Sequence, residues 1–576
     1  MGIENQENIL QALQRDLDGA QTTNEQVVNI VNAWSQLING SGQETKQGQA
    51  PFQLNDVKRQ IESALPSLTD PFVSNSKVVS IEPKSAEGVE KATVLEKLIN
   101  YQFDKGIDTV EFIENCARNL MAEGTVFTKV GWKDDMPTVE LIQIGELLLD
   151  PSARSMNDLN FAIQRRKVSI SSILSNPDWY GEHTLDSLSV IEAVSATQYD
   201  DFKNDGYGFD SSYNFEDRAR ELVEVFEYYG SYDINGTGIA TPILAIWSGN
   251  TMLKIIESPY PESWRGIPFE SAVYIRRPYS VYGDGVVSLS GDYQIIRTAI
   301  MREVVKNAAS ASNGTVFLKK GALDIPNAHY LNRGAKAVEL NGIPSQLIAH
   351  SPFNEIPSST FSLLETFKIE SEEITGISRN NAGFDGRAMN NTTATSARIV
   401  QSNAESRLLQ TTRHVSSMLE GVFRKWIDLN QMMLQNGSVK IEDRFVPVSS
   451  DMIDGSYDLK VTAGTSGKAQ QKVSSVTMML QQLIPMANEI DKSIIYGMLA
   501  EMSDAVDMPV VAEELRQMAT NPKQPDPQQT MIQLEAMMLE QQAKQASIAK
   551  DNAQAMKYQS EAFETRIDAE RASYGL

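Results

Sequence analysis

The chain has few of the residues that form disulfides and metal sites. Its 576 residues include one cysteine and four histidines. A single cysteine cannot form a disulfide within the chain, which suits a reducing compartment, and so few thiols and imidazoles argue against a zinc site. There is also no run of about 18 apolar residues, so we expect neither a transmembrane helix nor a membrane partner. We expect no metal or cofactor.

Basic residues are also in deficit. The sequence has 51 Lys and Arg against 75 Asp and Glu, for a formal net charge of −24. Proteins that bind specific DNA sequences tightly are usually basic, because their Lys and Arg side chains neutralise the phosphates of the DNA. The charge therefore argues against sequence-specific binding, but not against a DNA conduit whose acidic wall repels a sliding duplex. The alternative is that the acidity only maintains solubility.

Recognisable catalytic motifs are missing as well. The segment from Gly464 to Ala469 looks like a phosphate-binding loop, but Thr462 stands where its first glycine is required and Ala469 where a hydroxyl is required. We predict a strand-to-helix turn there and no ATPase site. Neither a GxSxG elbow nor an HExxH helix occurs, and the histidines are scattered. Catalytic carboxylate pairs remain open, but the sequence predicts that the protein is not an enzyme.

What the sequence does contain is a pair of helical patterns around a Gly- and Pro-rich insert. Apolar residues at spacings of three and four predict helices over 292–312 and 359–378. Between them, 315–318, 337–340 and 346–349 have the composition of short strands. We therefore predict a helical hairpin with a small α/β or β module at its tip.

A loop and a long helix follow this hairpin. Residues 379–392 have no periodicity and many turn formers, which predicts a mobile loop. Residues 393–435 contain no proline and one glycine, Gly421, so they predict a helix of about 65 Å. That length favours a bend near Gly421 or a helical neighbour.

The two ends of the chain are less regular. Residues 1–23 are polar, and we expect them to be frayed, with short helices over 24–38 and 54–65, the second ended by Pro66. Strands and helices alternate from there, interrupted by a polar, flexible stretch over 194–217. At the other end, residues 529–572 predict either one long helix or a disordered tail. Overall we expect an α+β fold that is predominantly helical.

This order of elements resembles the portal protein (head–tail connector) of tailed double-stranded DNA bacteriophages, of the short-tailed-phage type. The resemblance covers roughly residues 20 to 480 and rests on the order of elements more than on one motif. The matching residues are Trp264 to Phe269, Arg277 to Gly285, Gln294, Thr375 to Ile377, the loop to Gly386, Thr393 to Thr395, and Glu405 to Leu408.

The resemblance implies a division of the chain into the parts of a portal subunit. The expected parts are an N-terminal wing region (1–277), the approach and first stem helix (278–312), a clip (313–357), the second stem helix (358–378), a tunnel loop (379–392), a long kinked wing helix (393–436), wing strands with crown-proximal helices (437–521), and a C-terminal helical crown, barrel or tail (522–576).

The resemblance also implies a function and partners. Twelve copies would form a ring-shaped DNA channel at one capsid vertex, for genome packaging, retention and ejection. Double-stranded DNA would pass without sequence specificity, and the clip would dock the terminase large subunit and then the head-completion or tail adaptor. Major capsid and scaffolding proteins would be further partners. The protein would lie in the virion, and in the host cytoplasm during assembly.

The candidate site residues follow from the same implied parts. The candidates for contact with DNA in the channel are Arg379, Arg387, Asn380, Asn390, Arg297, Arg302 and Lys306. The candidates for docking in the clip are Lys319, Lys320 and Arg333. For the basic residues, the alternative is salt bridging between subunits to Glu365, Glu370, Glu372 and Glu373.

Two other functions remain open from the sequence. One is another head–tail adaptor, tail-tube or scaffold component of the virion. The other is a nuclease or ATPase accessory of packaging. The symmetry of the assembled particle separates the first from a portal, and a test for metal-dependent DNA cleavage separates the second.

Overall fold

The computed structural model divides the chain into two compact units, Met1–Ser466 and Gly467–Leu576. The structure describes residues 3–40, 51–73, 78–84, 89–188, 191, 215–234, 236–312, 316–318, 343, 348–350, 356–377, 394–434, 437–441, 444–448, 453, 455, 457–461, 496–497, 499–500 and 516. In the second unit, the described residues are helical. All elements given bounds below belong to the first unit.

The first unit combines helices with antiparallel sheets. Its helices are α1 (Ile3–Asn39), α2 (Asp56–Val73), α3 (Val89–Gly106), α4 (Thr109–Glu123), α5 (Ile170–Ser175), α6 (Pro177–Tyr180), α7 (Val286–Ser312), α8 (Ser358–Thr375) and α9 (Ala394–Met433). The predicted α+β class is confirmed.

The strands of the first unit are numbered in chain order. They are β1 (Val79–Pro83), β2 (Thr125–Lys133), β3 (Met136–Ile142), β4 (Leu147–Leu149), β5 (Phe161–Ser169), β6 (Leu222–Tyr232), β7 (Thr241–Ser248), β8 (Thr251–Glu257), β9 (Phe269–Val273), β10 (Ile275–Arg276), β11 (Gly283–Asp284), β12 (Val316–Leu318), β13 (Ile348–His350), β14 (Gly437–Ile441), β15 (Arg444–Val448) and β16 (Tyr457–Val461).

Two sheets form the larger part of the β-structure. One has five strands in the order β4-β5-β6-β7-β8, and the other has three in the order β3-β2-β9. The remaining described strands pair two by two, and β1 pairs with the distant β16. Every described pairing is antiparallel.

The N-terminal residues form a long helix, so the prediction that residues 1–23 are frayed was wrong. Helix α1 buries Ile9, Leu10, Leu13 and Leu17 against one face of the five-stranded sheet, in a cluster with Trp247. These four apolar residues lie on one helical face, since they are spaced at one, three and four. Burying that stripe stabilises a segment whose average polarity is high.

Helix α2 continues past the proline that was expected to end it. It includes both Pro66 and Pro71 and ends at Val73. A proline inside a helix costs about 3 kcal/mol. The buried side chains Leu68 and Phe72, which follow Pro66 on the packed face, offset that cost by contact with the main core.

Helix α9 packs against β9, the edge strand of the three-stranded sheet. Lys425 donates to the backbone carbonyls of Ile267 and Phe269 at 3.0 and 2.8 Å. His414 Nδ1 lies 2.8 Å from the Val273 carbonyl oxygen. These side chains cover carbonyl groups of an edge that would otherwise be open to another strand. The helix is thereby fixed to the sheet.

The flexible stretch expected over 194–217 and the helix or tail expected over 529–572 lie outside the described residues, apart from 215–217.

Candidate functional site

The two helices that enclose the insert lie side by side. Gln60 of α2 bridges them, because it accepts from Ser290 Oγ at 3.1 Å and donates to Ser371 Oγ at 3.2 Å. The rings of Tyr293 and Phe367 are 6.3 Å apart. Since α7 advances from 290 to 293 while α8 goes back from 371 to 367, the helices are antiparallel.

The insert between them begins and ends with paired strands. Strands β12 and β13 are antiparallel, with Phe317 opposite Ala349. The two ends of the insert therefore lie next to each other, as a module on a helical hairpin requires. The predicted strand over 337–340 lies outside the described residues.

The hairpin joins the rest of the unit at a contact between glycines. A Cβ on Gly124, the left-handed C-cap of α4, would lie 2.6 Å from the Gly283 carbonyl oxygen. A Cβ on Gly285 would lie 2.7 Å from the Met121 carbonyl oxygen. Two backbone segments approach this closely only where there is no side chain. The glycines thus place the first turn of α7 directly on the end of α4.

One face of α7 holds the segment that leads into α2. Gln294, Thr298 and Arg302 are spaced by four residues, so they lie on one side of the helix. Gln294 accepts from the Val57 backbone N–H at 2.9 Å, and Thr298 Oγ1 accepts from that of Leu54 at 3.2 Å. Arg302 Nε donates to the Phe52 carbonyl at 2.8 Å. We call residues 52–57, which include the first two residues of α2, the strap.

The three basic residues predicted on α7 therefore differ in their contacts and exposure. Arg297 forms an ion pair with Asp56 of the strap, and each side chain is 12% exposed. Arg302 is buried. Lys306 is exposed at the surface of the helix. Of these three side chains, Lys306 is the one that is exposed.

The other candidate residues lie outside the described part of the chain. These are the loop residues Arg379, Asn380, Arg387 and Asn390, and the insert residues Lys319, Lys320 and Arg333.

Helix α8 has an unusual distribution of apolar and polar side chains. The face that packs into the unit comprises Leu364, Lys368, Ser371 and Thr375. The buried Lys368 ammonium lies 3.3 Å from the Glu365 carboxylate. A helix that packs only within its own chain would bury its large apolar residues first.

The large apolar residues of α8 instead remain in contact with solvent. At 100° per residue, Phe361 and Ile369 lie on one flank of the packed face, and Leu363 and Ile374 lie on the other. Between 45% and 52% of each residue is exposed. Helix α7 likewise exposes Ile295, Ile296 and Val305. The hairpin therefore presents apolar surface on both of its sides.

Two histidines contact backbone carbonyl groups. His183 Nε2 lies 2.8 Å from the Tyr180 carbonyl oxygen, and His414 Nδ1 contacts the Val273 carbonyl oxygen as described above. Within the described ranges, no group of three or more His, Cys, Asp or Glu side chains is arranged to hold a metal ion. None of the helices in that part of the chain combines the length and hydropathy needed to cross a membrane.

Comparison with known proteins identifies a matching family and similar solved structures. The family model described as "Phage SU10 portal protein" matches residues 9–139 and 134–544. Among solved structures, a chain of the "Virion of native gene transfer agent (GTA) particle" is similar over 80% of this chain and 89% of that chain, with 11% identity and a TM-score of 0.35. The family match extends over most of the sequence, including both hairpin helices and α9. The protein thus belongs to the phage SU10 portal protein family, and is a structural, non-enzymatic component of the phage head that serves DNA packaging.

Proposed function

We propose that twelve copies of this portal protein form a ring around a central channel at one capsid vertex. DNA enters through the channel during packaging, is retained, and leaves through it at infection. The observation that carries the ring is the exposure of large apolar side chains on both flanks of α8, while Lys368 is buried.

Uncovered apolar flanks favour association between copies. Burying apolar surface is worth about 25 cal/mol per Å², and contiguous exposed patches mark sites of protein contact. A ring requires a heterologous contact, in which one side of each subunit meets the opposite side of the next. The Phe361 flank of one copy against the Leu363 flank of its neighbour meets that requirement.

The polar side of α8 then faces the channel. Thr366, Glu370 and Glu373 lie opposite the packed face, and both glutamates are exposed. Carboxylates repel the phosphates of a duplex and keep it from adhering while it slides. Lys306, Arg379, Asn380, Arg387 and Asn390 provide transient phosphate contacts in this arrangement.

The remaining parts of the subunit take the roles that a portal ring needs. The insert over 313–357 is the clip, which docks the terminase large subunit through Lys319, Lys320 and Arg333 and later the head-completion or tail adaptor. Residues 379–392 are the tunnel loop, 393–436 the wing helix, and 522–576 the crown. Assembly with major capsid and scaffolding proteins takes place in the host cytoplasm.

Electron microscopy of the purified protein tests the ring. We expect particles with twelvefold symmetry and a pore wide enough for duplex DNA. An Ile369→Asp variant should shift the protein to monomers. Ile30→Asp on α1 provides the control, since Ile30 is 50% exposed and Ile369 is 48% exposed.

Three outcomes would overturn the proposal. A wild-type protein that remains monomeric under all assembly conditions excludes the ring. A sixfold tube identifies a tail component instead. Metal-dependent DNA cleavage that a single carboxylate substitution abolishes identifies a packaging nuclease.

A further inference from the structure

A small projection precedes the first hairpin helix. Residues 275–279, which we call the knob, are all exposed, and they include Ile275 at 43% and Tyr279 at 83% exposure. Arg276 and Pro278 lie between them. Five consecutive exposed residues with an isoleucine, a proline and a tyrosine form a concentrated apolar and basic surface.

The base of the knob is firmly held. Strands β10 and β11 pair Arg276 with Gly283, and Arg277 forms two hydrogen bonds with the Asp284 carboxylate. Ser288 Oγ of the first turn of α7 also donates to that carboxylate at 3.3 Å. The knob is therefore attached to α7, the helix that exposes Ile295, Ile296 and Val305.

The return segment of the loop is buried, which fixes the direction of the projection. Val281 is 8% exposed, and the ring of Tyr282 packs edge-on against Phe127 at 6.0 Å. A Cβ on Gly283 would lie 2.6 Å from the Ile275 carbonyl oxygen. A rigid base under an exposed tip reduces the conformational entropy that binding would otherwise cost.

The tip contains a residue in an unfavourable conformation. Tyr279 has φ of 58°, in the left-handed region that side chains with a Cβ rarely adopt. Its ring lies 6.0 Å from the Arg154 guanidinium but remains largely in solvent. Such strain persists where the surroundings impose it, and it concentrates at sites of binding and function.

We propose that the knob is an anchor that binds the neighbouring copy of this chain. The inference rests on the ring proposed above and names a second contact within it. Tyrosine and arginine are enriched among the residues that dominate interface energies. Arg276 adds a positive charge to a surface that would meet a copy with a formal net charge of −24. The knob also continues into α7, so its contact extends the interface made by the hairpin flanks.

The variant Tyr279→Gly separates a binding role from a structural one. Glycine adopts positive φ freely, so the isolated subunit should keep or raise its melting temperature. The protein concentration at which half of the subunits are assembled should rise at least about tenfold, because the aromatic side chain of the anchor is lost. Ile239→Gly is the control, since Ile239 is 70% exposed in another loop and should leave assembly unchanged. Light scattering measures the concentration at half-assembly, and thermal unfolding measures the melting temperature.

The results separate this inference from the proposed function. If wild type never forms rings, both are overturned. If wild type forms rings and Tyr279→Gly forms rings at the same concentration, only the knob anchor is overturned. If Tyr279→Gly rings form at the wild-type concentration but fail to bind a head-completion protein, the knob binds that protein rather than a second copy. That result also overturns the knob anchor.

Discussion

Lys129 Nζ of β2 lies 2.6 Å from Glu227 Oε2 of β6, and this ion pair joins the three-stranded sheet to the five-stranded sheet. Both side chains are buried, at 8% and 0% exposure. Lys129 also donates to Gln164 Oε1 at 2.6 Å, and the Tyr229 hydroxyl donates to Glu227 at 2.7 Å. The charges are therefore paired and hydrogen-bonded, as buried charges must be.

Removing one member of this pair should destabilise the first unit. Glu227→Gln leaves the Lys129 ammonium buried without its counter-charge, and we expect a loss of about 3–5 kcal/mol in the free energy of unfolding. The double variant Lys129→Met, Glu227→Leu removes both charges and should recover most of that loss. Urea denaturation measures all three proteins. A single variant within about 1 kcal/mol of wild type would show that the pair contributes little.

The stability that Glu227 contributes should depend on pH. Burial alone would raise the pKa of this carboxyl, but the charges of Lys129 and Arg166 and its hydrogen bonds hold that pKa below the ordinary value of 4.5. A lowered pKa in the folded state means that the contribution is present above 4.5 and is lost as the pH falls below it. The difference in unfolding free energy between wild type and Glu227→Gln should therefore narrow progressively as the pH falls below 4.5, and it should level off only below the folded-state pKa, where the Glu227 side chain is also neutral. Paired urea titrations across that range check this, and a constant difference would contradict it.

Alanine at Gly421 should not stabilise the protein, although the position lies inside a helix. A Cβ there would lie 2.5 Å from Glu270 Cδ, and Glu270 pairs with Lys425 at 3.1 Å. Helix propensity alone would make alanine better by about 1 kcal/mol. The contacting atoms are the end of the Glu270 side chain, which can move aside by giving up its ion pair with Lys425. We expect that lost pair to cancel the propensity gain, for a net loss of up to about 1 kcal/mol.

Gly19 of α1 provides the matched control for this substitution. No atom lies within 4 Å of the position where its Cβ would stand. Gly19→Ala should therefore stabilise the protein by up to about 1 kcal/mol. Thermal unfolding of the two variants tests the sign, and an equal stabilisation by both would rule out the close contact with Glu270.

Arg297 and Lys306 should differ in what their removal affects. Arg297→Ala removes the ion pair between α7 and Asp56 of the strap. Asp56 keeps its second partner, Arg59, at 2.8 Å, so we expect a loss of about 1–2 kcal/mol in the free energy of unfolding. Lys306→Ala removes an exposed side chain and should change stability by less than about 0.5 kcal/mol. In a packaging assay at matched ring concentration, Lys306→Ala should alter DNA translocation. A Lys306→Ala variant that loses stability but translocates DNA normally would show that Lys306 has a structural role and no role in translocation.

The same Arg297 shows the limit of reasoning from sequence. Its position on a helix could be read from local periodicity, and α7 does include the predicted range 292–312. Its partner, Asp56, is 241 residues away, so no local pattern reveals the pair. Arg297 stays a candidate for DNA contact from the sequence, and the structure adds an ion pair with the strap that the sequence did not predict.

The sequence by itself determined the order and type of most elements, because helical and strand periodicity and the Gly and Pro breaks are local properties. Tertiary structure decided that residues 3–39 form a helix, that α2 passes through Pro66, and that β1 pairs with β16. It also decided which side of α8 is packed, leaving Phe361 and Ile369 exposed and Lys368 buried. The physical reason is that burial and pairing depend on which distant surfaces meet, and the free energy of burying apolar surface there can outweigh local propensity.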